Sequence, residues 1–374
     1  MLISATYICP IRGLATLAPP EPLRLGQAAR VAKDLELDQL MLPILEESLM
    51  GTVPSRVAFL DGLIKSMDQV FDAGLRVWLI APAQRILGLD WVAPHLARGV
   101  RDPRAKPVFV DRKVRNLRPF DWWAEPGYVQ LRVKLFRELA GALQGHPALT
   151  GWVILDRALE WARPDPQPAD FVLRSYLAEI RERGETATVY LGLGWSEFQN
   201  PEMAQSLAGL VDGLRISGPE AWPTGLVRPE TLPEQALLPA YLGSIGKWLF
   251  ERPIAVEAGW ECLNMDPDPD DLAEAGLHTA RQGFEGVGWL SLVDPDRRLQ
   301  NEPPWALKSG LEQSGLLDRD LWPKNFVEPW IQKIRSAKSK EDVNDYIDIE
   351  MDDYLDDPAM HFVRLWEHFR ESNW

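Results

Sequence analysis

The sequence predicts an α/β protein: a (β/α)8 TIM barrel with a long loop insertion after the third strand and an acidic tail at the C-terminus. Short strands that are apolar on both faces alternate with amphipathic helices, which is the pattern of a parallel sheet covered by helices. Eight such units fit the chain once the insertion is set aside. One strand, at residues 253–256, is followed at once by the carboxylate of Glu257.

The eight strands are predicted from short buried runs, and the eight helices from apolar residues that recur at helical spacing. The predicted strands lie at residues 1–10, 39–45, 76–81, 149–155, 186–193, 213–216, 253–256 and 286–292. The predicted helices lie at residues 22–37, 56–73, 128–145, 169–183, 201–210, 238–250, 272–282 and 305–317. Strand–helix–strand repeats of this kind imply right-handed crossovers and parallel pairing.

Two segments interrupt or extend the barrel, which is expected to span residues 1–318. Residues 82–126 are rich in Arg, Pro and Trp, and a loop of this length is usually functional. We interpret it as an insertion over the barrel mouth; a packed excursion along the barrel side is the alternative. Residues 319–374 form an extension with a linker at 333–340, an acidic-aromatic stretch at 341–357 and a short helix at 359–369. Residues 341–374 are expected to dock on the barrel itself or on a protein partner.

Composition narrows the possible ligands. The formal net charge of −15 argues against nucleic acid and against an anionic membrane surface. Two distant cysteines and five histidines without clustering predict no disulfide framework, no metal and no cofactor. No signal peptide and no apolar run of membrane-spanning length is apparent, which predicts a cytoplasmic protein. Sixteen tryptophans favour a carbohydrate ligand, although such rings also fill cores and interfaces.

Three stretches resemble clan A glycoside hydrolases, the retaining (β/α)8 glycosidases that include cellulase family 5. The stretch HPALTGW at 146–152 resembles the family's entry into strand four, PIAVEAG at 253–259 resembles its strand seven, and GVGWLSLVD at 286–294 resembles its strand eight. The resemblance covers residues 1–318. It implies that Glu257 is the nucleophile and that Trp289 forms the floor of a sugar subsite.

One position departs from the family. Strand four ends in Asn-Glu in these enzymes, where the Glu is the acid/base, and here the two positions are Asp156 and Arg157. An arginine cannot release a proton at useful pH, so Arg157 cannot protonate a leaving oxygen. Asp156 and Glu160 are the candidate replacements. Loops at the mouth could also supply a carboxylate from Glu46, Glu47, Glu197 or Glu220.

Two functions follow from this pattern. In the first, the barrel binds and hydrolyses an oligo- or polysaccharide, with Glu257 as nucleophile and Asp156 or Glu160 as acid/base. In the second, Arg157 pairs with Glu257 across an inactive site, and the barrel binds glycan or serves as a subunit of an assembly through its tail. The residues predicted to contact substrate are Arg157, Trp195, Glu197, Trp260, Trp289 and Asp294.

Overall fold

A computed structural model of the protein describes residues 1–10, 21–83, 85–86, 89–91, 107–110, 113–117, 121–161, 164–182, 186–218, 222–259, 268–302, 305–307, 310–338 and 344–373. Its strands are β1 (Leu2–Thr6), β2 (Gln39–Leu45), β3 (Arg76–Ala83), β4 (Arg85–Ile86), β5 (Leu89–Trp91), β6 (Pro107–Val110), β7 (Lys113–Asn116), β8 (Leu149–Ile154), β9 (Thr188–Leu193), β10 (Gly213–Ile216), β11 (Ile254–Ala258), β12 (Gly286–Trp289), β13 (Ser291–Val293) and β14 (Gly315–Leu317).

The α-helices cover the barrel and continue into the C-terminal extension. They are α1 (Pro22–Asp34), α2 (Glu46–Leu49), α3 (Val53–Asp72), α4 (Pro126–Leu143), α5 (Ala158–Trp161), α6 (Pro166–Arg181), α7 (Glu202–Ala208), α8 (Leu232–Gln235), α9 (Leu238–Phe250), α10 (Pro269–Arg281), α11 (Val327–Ser336), α12 (Met351–Asp356) and α13 (Pro358–Asn373). Within the described part of the chain, no helix is both long and apolar enough to cross a membrane.

Eight strands close into one barrel in the order β1-β12-β11-β10-β9-β8-β3-β2. Every neighbouring pair in this order is parallel. The predicted fold class, an α/β TIM barrel, is therefore confirmed. Because all strands run the same way, their carboxyl ends meet at a single face, which positions the end of β11 near the ends of β8 and β10.

The interior of the barrel is filled by aromatic rings that lie over glycines of neighbouring strands. Trp78 on β3 is in register with Gly151 on β8, and its indole meets the edge of Tyr190 with ring centroids 4.7 Å apart. A Cβ added at Gly151 would lie 2.6 Å from Trp78 Nε1, and one added at Gly213 would lie 2.5 Å from the Tyr190 ring. The two glycines thus leave space for these rings, and a side chain at either glycine position would collide with the ring beside it.

The eighth helix differs from the sequence expectation. Residues 305–317, predicted as the closing helix, form 3-10 turns at Trp305–Leu307 and Leu311–Gln313, followed by β14, which pairs with β13. Gly310 has a φ of +89°, a left-handed conformation that interrupts a helix. The helix that packs beside α10 is α11, so the predicted linker at 333–340 begins inside a helix.

The described part of the insertion contains a four-stranded sheet in the order β4-β5-β6-β7. Trp91 and Phe109 of this sheet join one apolar cluster with Leu45, Ala83 and Ile8, which lie at or just beyond the ends of the first three barrel strands. Trp305 and Leu311 belong to the same cluster. Apolar side chains therefore pack against this part of the face formed by the strand ends.

Trp122 and Trp123, the other two tryptophans of the insertion, are buried and stack with ring centroids 3.8 Å apart. The guanidinium of Arg132 lies 3.7 Å from the Trp122 ring and forms a 2.6 Å ion pair with Glu46. These indoles are engaged in the core, and Glu46, one of the mouth carboxylates considered from the sequence, already has a buried cation as its partner.

The C-terminal extension packs on the barrel through aromatic side chains. Phe362 of α13 stacks on Phe198, with parallel rings 6.0 Å apart, and Tyr241 of α9 donates its hydroxyl hydrogen bond to the Phe362 carbonyl. Trp366 donates from Nε1 to the Val227 carbonyl at 3.3 Å. The sequence left two alternatives for this extension, docking on the barrel or on a protein partner. In the structure the extension packs on the barrel. A protein partner for residues 341–374 stays a prediction.

We expect Gly151→Ala to destabilise the protein by about 1–3 kcal/mol, because the added methyl group must displace the buried Trp78 ring. Chemical denaturation followed by far-UV circular dichroism measures the change. Gly127→Ala is the matched control, since a Cβ at that helical position meets nothing within 4 Å. Equal stabilities for the two variants would contradict this account of the barrel interior.

Candidate functional site

Glu257 stands at the fourth position of β11, at the carboxyl end of the barrel. Its side chain is buried, and the residue is 5% exposed. Thr6, the last residue of β1, donates from Oγ1 to Glu257 Oε1 at 3.4 Å, and the backbone N–H of Gly218 donates to Oε2 at 3.3 Å. The strand predicted at 253–256 therefore ends two residues later than expected, so that Glu257 lies inside it, and both carboxylate oxygens are engaged.

The main partner of Glu257 is Arg215, on the neighbouring strand β10 and 3% exposed. Its Nη2 donates to Glu257 Oε1, while its Nη1 donates to Asp156 Oδ1 at 3.3 Å. Ser217 completes the network, accepting from Arg215 Nη1 at 2.7 Å and donating to Asp156 Oδ1 at 3.2 Å. One guanidinium thus bridges two buried carboxyl groups.

Arg215 was not among the residues predicted from the sequence. One of the two predicted functions pairs Glu257 with Arg157, whereas the ion pair described for Glu257 is with Arg215. A signal was available in the sequence GLRI of β10, because an arginine inside a short buried strand must have a charged partner nearby. Parallel pairing brings β9, β10 and β11 side by side, so carboxylates at the neighbouring strand ends were the natural partners.

Asp156 is held in this network by the backbone at the end of β8. Leu155 and Arg157 on either side have φ angles of +52° and +55°, and the Arg157 N–H donates to the Gly192 carbonyl at 3.0 Å. A Cβ at Gly192 would lie 2.5 Å from Asp156 Cα, so only glycine fits there. Burial raises the pKa of the Asp156 carboxyl above its ordinary value, against the opposing effect of Arg215 and then Arg157.

A cavity of about 650 Å³ opens beside this network, next to the end of β8. Arg157 and Leu159 line one side of it, and the 3-10 turn Trp195–Gln199 lines another. Asp156, Arg215 and Glu257 are not among the described residues that line the cavity. The cavity therefore lies next to Arg157, at the predicted acid/base position, and next to the end of strand five. The predicted nucleophile, Glu257, is not among the described residues of its lining.

Trp195 and Glu197, both predicted to contact substrate, line the cavity. The Trp195 side chain is partly buried and packs on the core. Glu197 is buried and accepts from the backbone N–H of Gly194 at 2.9 Å and from Ser196 Oγ at 3.4 Å. The first of these bonds satisfies an N–H at the start of the turn, so Glu197 also holds Trp195 in its place beside the cavity.

Two other residues predicted to contact substrate are engaged in packing and ion pairing. Trp289 is buried in the helical layer, with its ring 5.0 Å from that of Trp330, and its Nε1 donates to the Ser314 carbonyl at 2.8 Å. Asp294 forms a 2.9 Å ion pair with Lys324 and accepts from the Gly315 N–H at 2.7 Å. Burial raises the pKa of Asp294, with Lys324 opposing. In the described structure both residues hold β12, β13 and β14 against the α11 region, and their contact with a sugar stays a prediction.

Of the remaining candidates, Glu47 lies in α2 and is partly buried. The others lie wholly or partly outside the described part of the structure. Trp260 and Glu220 fall in undescribed ranges, and the side chain of Glu160 is not described, although its backbone belongs to α5. Among the residues that are described, no group of three His, Cys, Asp or Glu side chains is placed to hold a metal ion.

We expect Arg215→Met to destabilise the protein by about 3–5 kcal/mol at neutral pH, because two buried carboxyl groups lose their shared cation. Relative to the unmodified protein, the variant should lose least stability at low pH. Burial already raises the pKa of Asp156, and that pKa rises further when Arg215 is removed. A raised carboxyl pKa favours folding below the unfolded pKa, and that contribution is lost as pH rises through the folded pKa.

Denaturant unfolding of both proteins at about pH 5 and about pH 8 measures this difference. The matched control is Arg174→Met, which removes an exposed pair with Asp170 and should leave the unfolding midpoint unchanged. The second substitution Glu257→Gln should recover part of the loss in Arg215→Met. A loss that is independent of pH would argue against the bridging role of Arg215.

Comparison with protein-family models finds no match, and comparison with curated proteins finds none either. Solved structures do match. A GH5_18 from Streptomyces cattleya in complex with GlcNAc is 17% identical, with 91% of this chain and 82% of that chain covered and a TM-score of 0.70. A GH5_18 variant from the same organism in complex with Manβ1-4GlcNAc is 17% identical, with 89% and 80% covered and a TM-score of 0.67.

An exo-β-1,4-mannosidase from Opitutaceae bacterium strain TAV5 is 15% identical, with 90% of this chain and 59% of that chain covered and a TM-score of 0.66. At these identities the likeness establishes the fold. It agrees with the closed parallel barrel and with the resemblance carried by strands four, seven and eight. The chain shares the (β/α)8 barrel fold of these glycoside hydrolase structures.

Proposed function

We propose that this protein is a glycan-binding barrel that does not hydrolyse its ligand. The observation that carries the proposal is the Arg215 guanidinium, which bridges Glu257 and Asp156. Retaining hydrolysis needs two carboxyl groups on opposite sides of a glycosidic bond, about 5–5.5 Å apart. Here the space between the two candidate carboxyl groups is taken by a cation rather than left open for a sugar.

The contacts of Glu257 support the proposal. A carboxylate attacks an anomeric carbon through a lone pair of one oxygen, and here Oε1 is bonded to Arg215 while Oε2 accepts from the Gly218 N–H. A cation bonded to the carboxylate stabilises its charge and so lowers its reactivity. Arg157, at the position of the family's acid/base, has no proton to give at useful pH. Each of these features alone would slow hydrolysis, and together they remove both the free nucleophile and the ordinary acid.

The cavity beside Arg157 is the proposed glycan site. Its volume of about 650 Å³ lies within the usual range for small-ligand pockets, about 300–1,000 Å³. The indole of Trp195 offers a face for sugar stacking, and Ser206, Gln199 and Glu202 bring polar groups for hydroxyl recognition. Because GH5_18 structures hold GlcNAc and Manβ1-4GlcNAc, a β-mannosyl-GlcNAc unit is the ligand class that we propose first.

A retaining hydrolase is the second candidate, and one observation favours it. The pKa of Asp156 is raised by burial, and the residue is tied to Glu257 through a single arginine. A buried carboxyl group with a raised pKa is typical of a general acid. If a substrate displaced Arg215, Glu257 would serve as nucleophile and Asp156, or Glu160 from α5, as the acid.

We expect the purified protein to bind Manβ1-4GlcNAc measurably in isothermal titration calorimetry. Trp195→Ala should weaken binding about tenfold, which corresponds to about 1.4 kcal/mol of lost stacking. Trp322→Ala is the matched control, because Trp322 is 71% exposed and does not line the cavity. Absence of binding to Manβ1-4GlcNAc, GlcNAc and β-1,4-mannobiose would overturn the proposal of a glycan site of this class.

We expect no turnover of aryl β-mannosides or of Manβ1-4GlcNAc above the uncatalysed rate, either by the protein or by Glu257→Gln. The physical reason is that Glu257 is held by Arg215 and that Arg157 cannot act as acid. Product analysis by chromatography after long incubation at several pH values provides the measurement. Turnover that disappears in Glu257→Gln would instead establish the second candidate, and Asp156→Asn and Glu160→Gln would then identify the acid.

A further inference from the structure

The C-terminal extension reaches the proposed glycan cavity. Leu355, in α12, and Pro358, at the start of α13, line it together with Trp195 and Arg157. These two residues lie outside the barrel, which provides every other described residue of the lining. We propose that the junction between α12 and α13 is a wall of the ligand site that limits the length of the glycan it accepts. This inference rests on the proposed function and adds a determinant of specificity to it.

The wall is held in place by the residue next to Leu355. Tyr354 is buried, and its hydroxyl donates to the Phe198 carbonyl at 2.7 Å. Its ring also meets the edge of Trp248 on α9, with centroids 5.5 Å apart. Because a buried hydroxyl without its acceptor is costly, this bond fixes the register of α12 on the barrel. Leu355 therefore has a defined position relative to the cavity.

The same anchor connects the wall to the stacking surface. Phe198 belongs to the 3-10 turn that begins at Trp195, so the carbonyl that receives the Tyr354 hydrogen bond lies three residues from the stacking indole. Phe362 stacks on the Phe198 ring from α13. The turn is thus held between the barrel on one side and the extension on the other. The extension sets the shape of the cavity both directly, through Leu355 and Pro358, and indirectly, through this turn.

Further contacts along α13 make the extension a fixed part of the molecule. The Tyr241 ring packs within 5.5 Å of the rings of Phe362, Trp366 and Phe369, all of which are fully buried. Arg370 forms a 2.9 Å ion pair with Glu234 of α8. A segment with this much buried aromatic surface stays folded on the barrel when no ligand is present. A permanent wall restricts which ligands enter, whereas a hinged lid would close behind any of them.

The first experiment compares two substitutions of equal size in the extension. Leu355→Trp adds bulk inside the cavity and should weaken Manβ1-4GlcNAc binding at least tenfold in calorimetry. Met360→Trp adds the same bulk on α13 at a residue that is 51% exposed and not among those described in the lining, so it should leave the affinity unchanged. Leu355→Ala enlarges the cavity and should raise the affinity for β-1,4-mannotetraose relative to that for β-1,4-mannobiose by several-fold.

The outcomes separate this inference from the function on which it depends. If the unmodified protein binds none of the probes, the proposed glycan site fails. If it binds Manβ1-4GlcNAc, but Leu355→Trp binds equally well and Leu355→Ala keeps the length preference of the unmodified protein, the inference about the wall fails alone. Circular dichroism of each variant confirms that the fold is retained before binding is compared.

Hydrogen–deuterium exchange on the unmodified protein provides a measurement that needs no substitution. A ligand that contacts the wall stabilises it, so saturating Manβ1-4GlcNAc should slow amide exchange in residues 351–358 as well as in 195–199. Exchange in α3, on another side of the barrel, should not change. Protection restricted to residues 195–199 would show that the ligand does not contact the extension, and it would overturn the proposal.

Discussion

One buried guanidinium organises the face where the strands of this barrel end. Arg215 connects β10 to Asp156 beyond β8 and to Glu257 on β11, which are 59 and 42 positions away from it in the sequence. A buried cation can be retained only if anions surround it, and two buried carboxyl groups need a cation in the same way. The three charges therefore depend on one another. The left-handed residues at the end of β8 and the glycine at 192 follow from the need to bring Asp156 into this network.

Much of the fold could be predicted because its signals are local. Strands such as QLMLPIL at 39–45 are apolar on both faces, and only a covered parallel sheet suits them. The eighth helix was misplaced because apolar residues at 305–317 have helical spacing, yet Gly310 adopts a left-handed conformation and 315–317 pair with β13. The secondary structure of this segment is determined by its pairing with β13, and the spacing of apolar residues carries no information about that pairing.

The candidate site was only partly predictable, for a related reason. The sequence indicated that Glu257 and Asp156 lie at strand ends. Which side chains form hydrogen bonds there depends on the order of the strands in the barrel, and these strands are distant in the chain. Trp289 illustrates the limit: it occupies a four-residue strand flanked by glycine, so alternation could not tell the barrel interior from the helical layer. The resemblance supplied an orientation for it, and in this structure the ring packs against Trp330 instead.

In the proposed function, Arg157 at the acid/base position and Arg215 beside the candidate nucleophile Glu257 reinforce each other physically. With Arg157 at the acid/base position, a second cation stands near Asp156, and both arginines oppose the rise of its pKa that burial produces. Replacing Arg157 alone by a carboxylic acid would leave Arg215 bonded to both Asp156 and Glu257. Removing Arg215 alone would leave two buried carboxyl groups without a counter-charge. Under the proposed function, neither single substitution would restore hydrolysis, because each leaves the other feature of this arrangement of charges in place.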